Sequence, residues 1–366
     1  MKAAVFTGDS PTLQIEELTR PEPSRGEVLI QVAACGVCHT DLHVLKSEVA
    51  FPVPAVLGHE VSGTVAGVGP DVTGVSVGDR VVCSFIMPCG TCRHCVRGHE
   101  DLCETFFAYN RLKGTLYDGT TRLFRDDGSP VWMYSMGGLA EYCVVPATDV
   151  FAVPDDVDLA DVSIVGCSSF TAYGAVSNVA GLGMGDKVAV VAAGGVGSSV
   201  IQFARAAGVA QVIAVDVSDE KLAAAKALGA TDVVNSLTED AAARVIELSG
   251  GKGVDVAFEA LGRKDTFALA VDVLDDGGRA VVVGIAPAGS RGDIDLARLV
   301  RRKLSILGSY GARARTDMPQ LINLVRQGVV SPKDVITRRY SLDEAPEAYT
   351  ALSRGEIVGR AVIDIS

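Results

Sequence analysis

The sequence predicts an α/β protein of two domains, one of them built on a doubly wound parallel sheet. Three observations carry this expectation. The chain has 366 residues, 48% apolar and 21% charged, which is too long for one simple core and typical of folded protein. Between Lys187 and Ser309 about six apolar stretches alternate with mostly polar or amphipathic ones, the pattern of a parallel sheet with crossover helices. That region opens with a glycine-rich turn between a strand pattern and a helix pattern.

The elements of this domain follow in order. "KVAVVAAGGVGSSVIQFARAAG" reads as a strand from Lys187 to Ala192, a turn holding Gly194, Gly195, Val196 and Gly197, and a helix with apolar residues at helical spacing. "QVIAVDV" is a second strand ending at Asp216, nineteen residues after Gly197. This is a dinucleotide-binding arrangement. Gly194 lets backbone approach a pyrophosphate, Gly197 lets helix pack on strand, the helix N-terminus faces the phosphates, and Asp216 accepts from ribose hydroxyls. The first glycine position of the fingerprint holds Ala192. Val217 follows Asp216 with no arginine nearby for a 2′-phosphate, which favours NAD over NADP. Lys221 either reaches the ribose from the next helix or is a solvated helix residue. "TDVVN", "GVDVAFEALG", "GGRAVVVGIA" and "KLSILGS" supply the remaining strands.

Composition excludes several classes. The formal charge is −12 with no long basic block, so neither a nucleic-acid nor an anionic-membrane partner is expected. The most membrane-like window, Val188 to Ala204, is interrupted by glycines and serines and is shorter than a bilayer span. The opening "MKAAVFTG" has an apolar run too short for a signal peptide, and the expected location is the cytoplasm. Nine cysteines, an odd number, fit a disulfide framework poorly in a reducing compartment.

Four of those cysteines lie in "CGTCRHCVRGHEDLC", Cys89 to Cys103, spaced C-x2-C-x2-C-x7-C. One short loop thus gathers four thiolates, as tetrahedral zinc requires, with Pro88, Gly90 and Gly98 supplying turns. An iron–sulfur cluster is the rival reading, since C-x2-C-x2-C suits it as well. Four protein ligands leave no open position, which makes this a structural site. A second constellation lies upstream. All five histidines fall between His39 and His99, and "CGVCHTDLH", "GHE" and "VGCSSFTAYGA" offer Cys38, His59 and Cys167. Two thiolates and an imidazole would leave a fourth position open for water or substrate; scattered core residues are the alternative on spacing alone.

Taken with "AAGGVG", "VIAVD" and the terminal "GRAVIDI", these motifs make the whole chain resemble a zinc-dependent medium-chain alcohol dehydrogenase of the NAD-dependent type with a long insert. The resemblance implies a Rossmann cofactor domain inserted into a mainly β, GroES-like catalytic domain. Residues 1–168 would form the catalytic domain with a zinc lobe at 88–104, residues 169–309 the cofactor domain, and residues 310–366 the return to the catalytic domain. It implies two zinc ions per chain, a catalytic one on Cys38, His59 and Cys167 and a structural one on Cys89, Cys92, Cys95 and Cys103. Cys35, Cys83 and Cys143 match no ligand position. By the same resemblance Thr40 and His43 relay a proton to solvent, Asp41 orients His59, and Glu60 approaches zinc during ligand exchange. His39 and Arg360 would meet the pyrophosphate, His39 with a weaker, pH-dependent charge than arginine.

Phe85, Trp132, Met133 and Tyr134 are expected to border the substrate channel, which suits a primary aromatic or medium-chain alcohol and its aldehyde; packing of the insert against the body is the alternative for these aromatics. A thiol-adduct (S-hydroxymethyl) formaldehyde dehydrogenase and a non-catalytic zinc- and NAD-binding relative are the other two readings. The resemblance implies a homodimer, since relatives with the long form of this insert tend to be dimers, with a homotetramer as the alternative. Near the C-terminus, Ser341 and Glu344 of "SLDEAPEAY" form a capping box that starts a helix.

Overall fold

In the computed structural model, which describes residues 1–365, the chain divides into two compact units. Thr171–Ala312 and Val329–Val335 make up one; Met1–Phe170, Arg313–Gly328 and the chain from Ile336 onward make up the other.

The dinucleotide-type unit is a six-stranded, all-parallel sheet. Its strands are Lys187–Val191, Gln211–Asp216, Asp232–Asn235, Val254–Glu259, Leu274–Val282 and Ser305–Gly308. In space the third, second and first precede the fourth, fifth and sixth, the doubly wound order whose direction reverses between the first strand and the fourth. Strand interiors such as Ala189, Ile213, Val234 and Ala257 are fully buried, as sheets covered on both faces require. The window Val188 to Ala204 resolves into the first strand and the helix Gly195–Ala206. Among the described residues no single helix is long and apolar enough to cross a membrane.

Val329–Val335 departs from the expected division, since it groups with this unit and not with the C-terminal return. The reason is local. Gln202 accepts from Ser331 N at 3.0 Å and donates to Ser331 O at 3.1 Å, pinning the segment to the helix Gly195–Ala206.

The other unit is mainly β. Its seven-stranded sheet is organised around the eleven-residue strand Glu27–Val37, which pairs antiparallel with Val61–Val68, Tyr142–Pro146 and Arg360–Asp364. A five-stranded sheet includes Lys2–Phe6 and Pro130–Met133. The C-terminal strand Arg360–Asp364 thus joins the first half of the chain, which closes the unit across the inserted segment.

Candidate active site

The β ladder gathers the upstream constellation. Cys38 follows directly on Glu27–Val37, and His59 and Glu60 directly precede Val61–Val68. Cys35 lies opposite Val61 and Val37 opposite Ala361, so Cys38, His59, Glu60 and Arg360 share one end of the sheet. Cys167 arrives from the short turn Ser163–Gly166. One ligand atom from each of Cys38, His59, Glu60 and Cys167 lies within 4.8 Å of all the others, and all four residues are buried.

The donor set fits zinc. His59 Nδ1 sits 3.0 Å from Asp41 Oδ1, which orients the ring. Burial opposes its charge, yet the charges of Asp41 and Cys38 hold the imidazole well above its ordinary range, so a metal ligated by Nε2 would displace a proton there. That nitrogen is buried with no hydrogen-bond partner, a costly arrangement unless a cation takes it up. Two sulfurs and one imidazole are a set zinc accepts. Asp41 is fixed in turn. It accepts from Gly58 N at 3.2 Å, and Tyr349 Oη donates to its Oδ2 at 2.9 Å.

Electrostatics point the same way. A hydrogen bond from Cys167 holds the Cys38 thiol well below its ordinary range, against burial and with help from Arg360 and His59, while Cys167 is pushed well above. Cys38 is the readier thiolate of the two, and a coordinated dication would favour ionisation of both. Burial raises Glu60 to about 7, against the pull of Arg360. Arg360 is ion-paired with Glu60 and donates to Val37 O at 3.2 Å. The guanidinium expected at a pyrophosphate is therefore held inside by Glu60, with only 5% of the residue exposed. Gly36 makes room for this pair, since a Cβ there would lie 1.9 Å from Glu60 Oε2.

The helix His39–Leu45 carries the expected relay. Thr40 Oγ1 lies 3.6 Å from Cys38 Sγ, and His43 Nδ1 lies 2.5 Å from Glu48 Oε2 on a half-exposed side chain. His39 is exposed on the first turn.

Aromatic rings wall the site. The His59 ring meets Phe85 at 6.2 Å and Tyr134 at 6.3 Å, both edge-on. Phe85 meets Phe170 at 6.1 Å, and Tyr134 meets Phe51 at 4.9 Å. Of the expected channel residues, Phe85 and Tyr134 are brought to His59. Met133 is fully buried opposite Val56, and Trp132 lies opposite Ala55 with its Cβ against Gly114. The alternation of the strand Pro130–Met133 and its pairing with Ala55–Val56 account for both.

The four-cysteine lobe also fits a metal. The Sγ atoms of Cys89, Cys92, Cys95 and Cys103 lie within 4.8 Å of one another. Cys89 and Cys95 Sγ are 4.0 Å apart, near the ~3.8 Å edge of a tetrahedron with zinc–sulfur bonds of about 2.3 Å and far from a disulfide. Backbone N–H groups of Cys92, Cys95, Cys89 and Phe106 point at Cys89, Cys92, Cys103 and Cys103 sulfurs respectively, at 3.3–3.5 Å. Burial opposes ionisation of Cys89, but hydrogen bonds from Thr105, Thr91 and Cys92 outweigh it and lower its thiol to about 6.

In the other unit, the turn after Lys187–Val191 has the shape its glycines suggest. A Cβ on Gly197 would lie 2.0 Å from Ala192 O, so the helix packs on the turn only without one, whereas Gly194 faces open space. Ala192, in the first glycine position, has φ +75°. Asp216 accepts from Ala193 N at 2.8 Å, Val217 N at 2.8 Å and Ser218 N at 3.1 Å, tying the turn to the end of the second strand. Gly195 and Val196 open the helix, and Lys221 lies half-buried in the next one, Asp219–Ala227.

Tyr349, Phe51, Glu48 and Arg111 escape sequence reasoning. Tyr349 follows the capping box Ser341/Glu344, which forms as expected; that signal marks a helix and says nothing of where its tyrosine points.

Two family models match the chain, one described as an alcohol dehydrogenase GroES-like domain over residues 24–155 and one as a zinc-binding dehydrogenase over 195–327. The NDMA-dependent alcohol dehydrogenase of Amycolatopsis methanolica is 35% identical, covering 99% of this chain and 98% of its own. The S-(hydroxymethyl)glutathione dehydrogenase of Paracoccus denitrificans is 31% identical over 99% of both. The crystal structure of benzyl alcohol dehydrogenase from Acinetobacter calcoaceticus superposes with a TM-score of 0.93 at 31% identity, covering 100% of this chain and 99% of that one. The chain belongs to the zinc-dependent medium-chain alcohol dehydrogenase family, as an oxidoreductase that works with zinc and a nicotinamide dinucleotide.

Proposed function

We propose that this enzyme interconverts a primary aromatic or medium-chain alcohol and its aldehyde, with NAD as hydride acceptor and two zinc ions per chain. The observation that carries the reading is the aromatic wall of Phe85 and Tyr134 edge-on to His59, beside the Cys38–Cys167 pair. Bound at Cys38, His59 and Cys167, zinc would supply Lewis acidity toward an alcohol oxygen, and NAD a hydride acceptor.

The chain's own groups do the rest. Asp41, held by Tyr349 and Gly58, keeps the His59 ring in the ligating tautomer. Thr40 stands next to Cys38 to take up the proton, and His43 with Glu48 moves it toward solvent. Phe85, Phe51 and Tyr134 exclude water from the alcohol's apolar body. Cys89, Cys92, Cys95 and Cys103 hold the second ion. NAD over NADP is supported by Asp216 at the strand end and the neutral Val217 beside it.

A homodimer is supported by the edge strand Ser305–Gly308, with Ile306 exposed on it and Leu296 and Val300 exposed on the preceding helix. A cytoplasmic location is supported by nine cysteines that form no disulfide. A second reading, oxidation of an S-hydroxymethyl thiol adduct, draws on the Paracoccus relative and on Arg111, a cation beside Tyr134.

Metal analysis of Cys167→Ser and Cys103→Ser proteins tests the assignment. Each should retain one zinc where the parent holds two, and the Cys167 variant should lose alcohol-dependent NADH formation. One zinc in the parent would contradict it.

A further inference from the structure

The guanidinium carbon of Arg111 stands 4.5 Å over the Tyr134 ring, and Tyr134 meets the His59 ring at 6.3 Å. These contacts in series put Arg111 at most about 11 Å from the metal-binding imidazole. Three features mark the placement. Arg111 has no carboxylate partner among the described residues, a state it shares with Arg20 on Tyr142 but not with Arg122, Arg125, Arg313 and Arg315 of the same unit, which are ion-paired. The Tyr134 hydroxyl is buried with no hydrogen-bond partner, and its residue is only 1% exposed. A buried donor of this kind is stabilised by an incoming acceptor.

The segment is also built to stay where it is. Arg111 ends the wide-turned helix Phe106–Arg111, which starts on the Cys103 sulfur through Phe106 N at 3.4 Å. Its neighbour Asn110, fully buried, donates to Ser135 O at 2.7 Å and Thr115 O at 3.3 Å. Ser135, at φ +54°, donates in turn to Phe85 O at 2.9 Å. The cation, the tyrosine and the phenylalanine of the wall are thereby linked. An arginine stacked on an aromatic face keeps its N–H edge free for a carboxylate.

We propose that Arg111 and the Tyr134 hydroxyl form the anion-recognising end of the substrate pocket, so that the preferred substrate is a primary alcohol or aldehyde with a carboxylate at the far end of its apolar body. This rests on the reading of Cys38, His59 and Cys167 as the alcohol end. A hydroxymethyl-aryl carboxylate is short enough to lie within the limit those serial contacts set.

The test compares 4-(hydroxymethyl)benzoate, its methyl ester and benzyl alcohol as substrates of the zinc-loaded enzyme with NAD. In Arg111→Gln the kcat/KM ratio of the acid to benzyl alcohol should fall about tenfold or more, and in Arg111→Lys by less. An unchanged ratio, or an ester used as well as the acid by the parent, overturns the proposal. Calorimetric binding of 4-(hydroxymethyl)benzoate without NAD supplies an independent readout. Tenfold weaker binding by Arg111→Gln supports the site, and equal binding refutes it. If the parent turns over no alcohol, the proposed function fails while the binding comparison still decides the role of Arg111. Should Arg111→Gln not fold, Tyr134→Phe removes only the hydroxyl and should weaken binding of the acid more than that of its ester; equal weakening refutes the site.

Discussion

Replacing Tyr349 by phenylalanine isolates one hydrogen bond behind the metal site. The Tyr349 hydroxyl donates to Asp41 Oδ2 at 2.9 Å, the one bond that oxygen accepts among the described residues. Asp41 is fully buried and Tyr349 nearly so, so water cannot replace the lost donor. Burial and the Asp41 charge push the phenol's pKa well above its usual value, which keeps it a donor throughout the neutral range. Loss of a hydrogen bond to a buried carboxylate costs about 1.5–3 kcal/mol. The share felt by His59 should weaken zinc binding by roughly 10–100-fold, the usual effect of removing a group that orients a ligand. Chelator-driven zinc release followed with a metallochromic dye reads this directly. Tyr349→Phe should accelerate the phase belonging to Cys38, His59 and Cys167 and leave the four-cysteine phase unchanged. Identical release of both ions in variant and parent, or equal acceleration of both, would refute the reasoning.

Ala192→Gly should raise the urea midpoint, because left-handed backbone at φ +75° costs alanine about 1–2 kcal/mol, less about 0.4–1 for the freedom glycine adds to the unfolded chain; a lower midpoint contradicts this. Asp149→Asn should stabilise the protein progressively as pH rises. Asp149 is fully buried, one oxygen accepts from Ser84 N and Oγ, and the other has no partner. Burial raises its carboxyl well above the usual range. At low pH it is protonated in both states; as pH rises, the unfolded chain releases the proton first, so stability is lost up to the folded-state pKa. The gain from asparagine should therefore grow as pH rises above the ordinary carboxylate range in denaturant titrations, and a flat difference would be evidence against it. His39→Arg should tighten NADH binding in a fluorescence titration by placing a permanent, planar cation at this position; equal or tighter binding by the parent rules this out.

How much of this was legible in the sequence differs from one element to the next. Periodicity and the Gly194–Gly197 turn gave the parallel sheet, because such strands are continuous apolar runs. Cysteine spacing gave the four-thiol lobe, because its ligands come from one loop. The Cys38–His59–Cys167 cluster needed the family resemblance, since its ligands come from three segments joined only by the β ladder. Tyr349 and Arg111 were illegible for the same reason. One lies 308 residues from Asp41, its hydrogen-bond partner, and the other reaches Tyr134 through a wide helical turn that no local spacing announces. Arg360 was placed by its motif, but its ion pair with Glu60 depends on the approach that Gly36 permits. Trp132 is placed by strand register, not by composition: it lies opposite Ala55 with its Cβ against Gly114, and the sequence offered both channel and packing for it.

The most direct test of the account is the initial rate of NADH formation by zinc-loaded protein across ethanol, hexanol, benzyl alcohol, a secondary alcohol, and formaldehyde with and without thiols. A clear preference for hexanol or benzyl alcohol is the predicted result. Turnover only with a formaldehyde–thiol adduct, or none with any alcohol while both zinc ions are bound, would contradict it.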